Sequence, residues 1–148
     1  MSTYFSKSRL GLAGFAMAAA LLAGCSGMGS SSGASAGMAL SLSGAQEVPP
    51  VNTAASGGGT IMVGADRAVS GRIATMGLNG TMAHIHMGAP GQNGPVIVPL
   101  TKSGNEWLVP AGAKLSDAQY DAYKAGNLYV NVHSDAFKGG EIRAQLKP

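Results

Sequence analysis

Leu128-Tyr129-Val130-Asn131-Val132-His133-Ser134-Asp135 alternates apolar and polar side chains over its first six positions, the period of two that a half-buried β-strand imposes. Leu128, Val130 and Val132 fall on one face, and Tyr129, Asn131 and His133 on the other. A second stretch, Ala83-His84-Ile85-His86-Met87, reads the same way, with His84 and His86 side by side and Ala83, Ile85 and Met87 turned opposite. The chain has three histidines, and all of them lie in these two stretches. The alternation places each imidazole on the face away from the apolar core residues. If the two strands are neighbours, three ring nitrogens can converge on a metal ion.

Working outward, the chain reads as short strands punctuated by Gly, Pro and Asn. Leu40 and Leu42 alternate with serines, Thr60 to Val63 and Ala68 to Leu78 follow, and Asn79-Gly80 is a hairpin-type turn pair leading into the His84/His86 strand. Pro95 to Leu100, Glu106 to Val109, Asn127 to His133 and Glu141 to Leu146 complete about eight strand candidates. One helix interrupts them: Ser116-Asp-Ala-Gln119 is a capping box, and Gly126 is placed to end the helix. This pattern predicts an all-β fold, an antiparallel Greek-key sandwich or barrel with one short helix. Gly88 to Pro95 and Ser134 to Gly140 read as turn-dense loops that would frame the histidines.

The N-terminus carries a different message. Lys7 and Arg9 precede an uncharged apolar run from Leu10 to Gly24 that is too short to span a bilayer, the layout of an export signal over residues 1–24. Leu22-Ala-Gly-Cys25 resembles the lipobox of bacterial lipoproteins, which implies cleavage before Cys25, lipidation of Cys25 and attachment to the membrane. The same resemblance implies that Ser26 after that cysteine, in place of Asp, favours outer-membrane sorting, with the domain facing the periplasm or the cell surface. Residues 25–38 form a Ser/Gly-rich flexible tether, whose twelve residues from Ser26 to Gly37 span about 19 Å root-mean-square. Residues 39–148 form the folded domain. Cys25 is the only cysteine, so no intramolecular disulfide is available.

The whole chain carries a formal charge of +3, and removing Lys7 and Arg9 leaves eight basic against seven acidic residues. There is no basic stripe, which argues against nucleic acid as a partner. No nucleophile-base order, carboxylate pair or phosphate loop stands out, so no residue is assigned a catalytic role.

Four motifs in order, Leu42-Ser-Gly-Ala-Gln-Glu-Val-Pro-Pro50, Ala83-His-Ile-His86, Gly88-Ala-Pro-Gly-Gln-Asn-Gly-Pro-Val96, and Asn127 to Ser134 with Gly139-Gly-Glu-Ile-Arg143, resemble a CHRD domain of the bacterial lipoprotein type over about residues 40–146. More weakly, the order of His-x-His, glycine-rich loop, Val-His-Ser-Asp and Gly-Gly-x-x-Arg is similar to the copper half of Cu/Zn superoxide dismutases. That likeness implies a superoxide-dismutase-like barrel with copper on His84, His86 and His133, and Arg143 near the place of an anion-guiding arginine. The chain departs from the dismutases in lacking a bridging histidine, a zinc-ligand loop and a disulfide.

Copper is the expected metal, with zinc as the alternative, because copper outranks zinc on nitrogen ligands. Met76, Met82 and Met87 lie close to the His pair in sequence and offer soft sulfur, with Met87 the immediate neighbour of His86. Asp135 and Glu141 are candidates to orient the imidazoles from behind, and Tyr129 shares the His133 face. The leading functional expectation is a lipid-anchored metal-binding domain for copper sequestration, sensing or delivery. Alternatives are an adhesion or matrix-interaction scaffold that takes a protein or glycan partner without metal, and a dismutase-type oxidoreductase.

Overall fold

The structure is a computed structural model, described for residue 37 and residues 39–148. The signal segment, Cys25 and all of the tether but residue 37 lie outside the described residues.

Among the described residues, nine strands and one α-helix follow one another: β1 (Ala39–Ser43), β2 (Ser56–Val63), β3 (Val69–Met76), β4 (Gly80–Met87), β5 (Val96–Pro99), β6 (Thr101–Ser103), β7 (Glu106–Leu108), α1 (Asp117–Lys124), β8 (Leu128–Ser134) and β9 (Ile142–Leu146). They make a single antiparallel sheet in the order β5-β4-β8-β9-β1-β2-β3-β7-β6. Its two outer strands, β5 and β6, are separated in the chain by Leu100 alone, and the Leu100 N–H donates to the Ala83 carbonyl at 2.9 Å. The sheet therefore curls almost shut into a barrel, the all-β class expected.

The barrel interior holds the apolar face of each alternating strand: Leu40 and Leu42, Ile61 and Val63, Ile73, Ala83 and Ile85, Leu128, Val130 and Val132, then Ile142, Ala144 and Leu146, around Trp107. Each such large side chain contributes about 1.5–3 kcal/mol on burial. This inward set fixes the register, since a slip of one residue would turn every one of them outward.

Three local expectations change. β2 begins at Ser56 and includes Gly57, Gly58 and Gly59, where glycine's poor strand propensity argued for a start at Thr60. Gly57 and Gly59 are there for close approach: a Cβ at Gly57 would sit 3.1 Å from Ile142 Cδ1, and one at Gly59 would collide with the Arg72 carbonyl. β6 was unforeseen, because its three residues are all exposed and show no apolar alternation. Asn79-Gly80 does not join a hairpin, since β3 pairs with β2 and β7 while β4 pairs with β5 and β8. A Cβ at Gly80 would come within 2.7 Å of the Trp107 ring, so the glycine serves packing rather than a tight turn. The helix is as read. Ser116 Oγ accepts from the Gln119 N–H at 3.2 Å, Gln119 Oε1 accepts from the Ser116 N–H at 2.8 Å, and Gly126 follows the last turn with φ +73°.

Candidate metal centre

β4 and β8 are direct neighbours, with Met82 opposite His133, His84 opposite Asn131 and His86 opposite Tyr129. The pairing that the histidine argument required is present. On the outer face of this ladder the imidazoles of His84 and His133 lie 5.0 Å apart between ring centres, His84 and His86 5.5 Å, and His86 and His133 6.3 Å. One nitrogen from each ring lies within 4.8 Å of the others.

The tautomers are set by the backbone. His86 Nδ1 is 2.9 Å from the Gly94 carbonyl and His133 Nδ1 is 2.9 Å from the Lys138 carbonyl. A carbonyl only accepts, so each Nδ1 carries the proton and each Nε2 keeps its lone pair. His86 Nε2 is buried beside the Asn131 side chain and makes no well-formed hydrogen bond. His133 Nε2 faces His84 Nδ1 at 3.1 Å. Two nitrogens about 2.0–2.1 Å from one metal are about 2.9 Å apart at a right angle and about 3.4 Å at the tetrahedral angle, which brackets that separation. His84 Nδ1, His86 Nε2 and His133 Nε2 are thus the donor atoms with which this chain could hold a metal ion.

Burial lowers the proton affinity of all three imidazoles. For His84 the nearby rings of His133 and His86 add to the effect, and for His86 and His133 the carbonyl bonds partly oppose it. The rings are consequently held neutral, the form that binds metal.

The sequence reading put the imidazoles outside the apolar core, and so they are, but two of them are not solvated. His86 and His133 are 7% and 6% exposed, and every residue of β8 is buried. The outer face is roofed by the loops that the sequence placed beside it. Gly94 is pinned twice, its carbonyl to His86 and its N–H donating to Tyr129 Oη at 3.2 Å. A Cβ at Gly94 would collide with the Met87 carbonyl, which is why a glycine holds this position.

Tyr129 lies flat on His86, with ring centres 4.7 Å apart and planes inclined by 3°. The guanidinium of Arg143, on the neighbouring strand β9, sits 3.4 Å from the Tyr129 ring centre. A stack of guanidinium, phenol and imidazole thus backs the histidine cluster from β9 through β8 to β4. Arg143 is 1% exposed and donates to the Gln92 carbonyl at 2.8 Å and to Asn93 Oδ1 at 3.2 Å. It anchors the roof loop and supports the site through Tyr129, whereas the dismutase likeness implied a guiding residue beside the metal.

The backbone carbonyls of Gly94 and Lys138 orient His86 and His133, a role for which the sequence offered Asp135 and Glu141. Asp135 is exposed, and Glu141 Oε1 accepts from Thr53 Oγ1 at 2.8 Å. Met87 packs against the apolar core, as the strand alternation requires. The carbonyl partners were not legible in the sequence, since every residue carries a carbonyl and only the path of the loop aims one. Glu47, from the Gln-Glu-Val-Pro-Pro motif, was also missed as a buried group. It is 4% exposed, and burial pushes its carboxyl up while Arg143 partly offsets this.

Residues 38–146 match the CHRD domain family. No curated protein and no solved structure matches the chain significantly. With the motifs seated on one barrel and the family match spanning the described domain, the chain belongs to the CHRD-domain family.

Proposed function

We propose that this protein is an exported, lipid-anchored CHRD domain that binds one transition-metal ion, copper before zinc, through His84 Nδ1, His86 Nε2 and His133 Nε2. Its role on this reading is copper sequestration, sensing or delivery outside the cytoplasm. The observation that carries it is the convergence of one nitrogen from each of three imidazoles within 4.8 Å, with the Gly94 bond leaving the buried Nε2 of His86 as that ring's lone pair. A buried polar atom without a partner costs about 1–3 kcal/mol, and a metal ion on that nitrogen removes the cost. Three neutral imidazoles suit copper or zinc, and the Irving–Williams order favours copper. They leave a fourth position open.

The exported, anchored placement rests on Lys7, Arg9, the apolar run to Gly24 and the lipobox-like Leu22-Ala-Gly-Cys25. On this reading the acyl group on Cys25 supplies the attachment; no helix among the described residues is long and apolar enough to cross a membrane.

The test is metal analysis and calorimetry on protein purified without a histidine tag and stripped with chelator. One Cu(II) per chain with nitrogen hyperfine structure in the electron paramagnetic resonance spectrum is expected, and His133→Ala should remove it. Wild-type protein that takes up neither copper nor zinc would overturn the reading and leave a barrel whose loops bind a protein or glycan partner.

A further inference from the structure

We infer that Met82 is a fourth ligand, through its thioether sulfur, which tunes the three-histidine centre toward reduced copper. This rests on the metal-binding reading above and assigns its open position. Met82 stands directly opposite His133 in the β4/β8 ladder and two residues before His84 on the same strand face. Cβ atoms of directly opposed residues are about 4.5–5.5 Å apart, and a methionine side chain with three rotatable bonds covers that distance. A register shift between Gly80 and Met82 interrupts the ladder there, and Thr81 Oγ1 donates to the His133 carbonyl at 3.3 Å. Bulges of this kind re-aim side chains beside functional sites.

Accessibility points the same way. His86 and His133 are buried while His84 is only partly so, which leaves the cluster open to solvent on the His84 side. Met82, beside that opening, is 49% exposed and takes no part in the apolar core. Its side chain is therefore not committed to the core and is available to a metal at the edge of the cluster, opposite His133. The other methionines near the His pair in sequence do not fit. Met87 packs against the core, and Met76 lies on β3, which borders neither β4 nor β8.

The chemistry separates the ligands by ion. Imidazole serves Cu(I), Cu(II) and Zn(II), whereas a thioether is soft and adds affinity for Cu(I) above all. At the open edge, the sulfur would meet an incoming Cu(I) first and complete its shell afterwards.

The experiment compares purified wild-type protein with Met82→Leu, Met87→Leu and His84→Ala, each stripped of metal. Cu(I) is titrated anaerobically against a chromophoric Cu(I) chelator, and Zn(II) against a zinc indicator. Met82→Leu should weaken Cu(I) by about tenfold and leave Zn(II) within about twofold, as expected for loss of one soft ligand. Met87→Leu should change neither, and His84→Ala should weaken both. Copper K-edge absorption should show a sulfur neighbour in the wild type and none in Met82→Leu. Unchanged Cu(I) affinity in Met82→Leu, sulfur scattering that survives it, or an equal loss of Zn(II) would overturn the assignment. A wild-type protein that binds neither ion would instead overturn the three-histidine site itself.

Discussion

His84 and His86 are two residues apart on one strand, yet replacing each with Ala should have different consequences for the metal-free protein. His86 is 7% exposed, lies flat against Tyr129 at 4.7 Å and donates to the Gly94 carbonyl at 2.9 Å. Removing it forfeits a hydrogen bond of about 1 kcal/mol, a ring contact of about 0.5–1.5 kcal/mol and the packing of a buried side chain. The gross sum is about 2–4 kcal/mol, and relief of the unpartnered His86 Nε2 returns about 1 kcal/mol of it, leaving about 1–3 kcal/mol, or a fall in thermal midpoint of about 4–12 °C at about 4 °C per kcal/mol for a domain of this size. His84 is half-buried, and its polar contact is the ring nitrogen of His133. Its loss should cost under about 1 kcal/mol, hence under about 4 °C. Both variants should lose metal affinity by more than the 10–100-fold that follows loss of a group behind a ligand. Differential scanning calorimetry on chelator-treated protein reads the first effect, and isothermal titration with Cu(II) reads the second. Equal falls in midpoint for the two variants would refute the division of labour drawn from the structure. Wild-type affinity in either would refute its place among the ligands.

Three further outcomes are expected. Arg143→Lys should destabilise by about 2–4 kcal/mol, because an ammonium cannot reproduce the two loop bonds and the stack on Tyr129, and amide exchange over residues 88–95 should accelerate; unchanged exchange there would mean that the roof is held by something else. The metal-free protein should lose stability as the pH falls below the ordinary histidine value of 6.5, since the unfolded chain takes up protons that the buried rings, held below 6.5, still refuse. That loss levels off below the folded values, and bound metal should leave over the same acidic range; a metal-free stability curve flat from pH 7 to 5 would contradict it. Cys25→Ser should abolish incorporation of a labelled fatty acid in cells, and label persisting on the variant would place the acyl group elsewhere.

Much of the fold was legible because it follows from periodicity. Strands such as β8 and β9 announce themselves by alternation, and the helix by the Ser116–Gln119 box and Gly126, since both signals are local consequences of backbone geometry. The signals that failed were those whose meaning depends on a distant partner. Gly57 to Gly59 look like a loop until Ile142 and β3 are seen pressing on the first and last of them, and Asn79-Gly80 looks like a hairpin until Trp107 is seen to occupy the space above Gly80. β6 gave no signal because an exposed three-residue edge strand needs no apolar face.

The candidate site divides in the same way. From sequence alone came the identity of the three histidines, the face each one occupies and the likeness to the CHRD family. Only the tertiary structure decided that β4 and β8 are neighbours, that Gly94 and Lys138 offer the carbonyls that set the tautomers, and that Arg143 acts through Tyr129 and the roof loop. It also moved the methionine of interest from Met87 to Met82, because ladder register, rather than nearness in the chain, sets which side chain faces His133. The physical reason is common to all of these. A residue type and its strand face are encoded within a few positions of chain, whereas a donor atom's direction depends on loops and strands that close only when the whole barrel does.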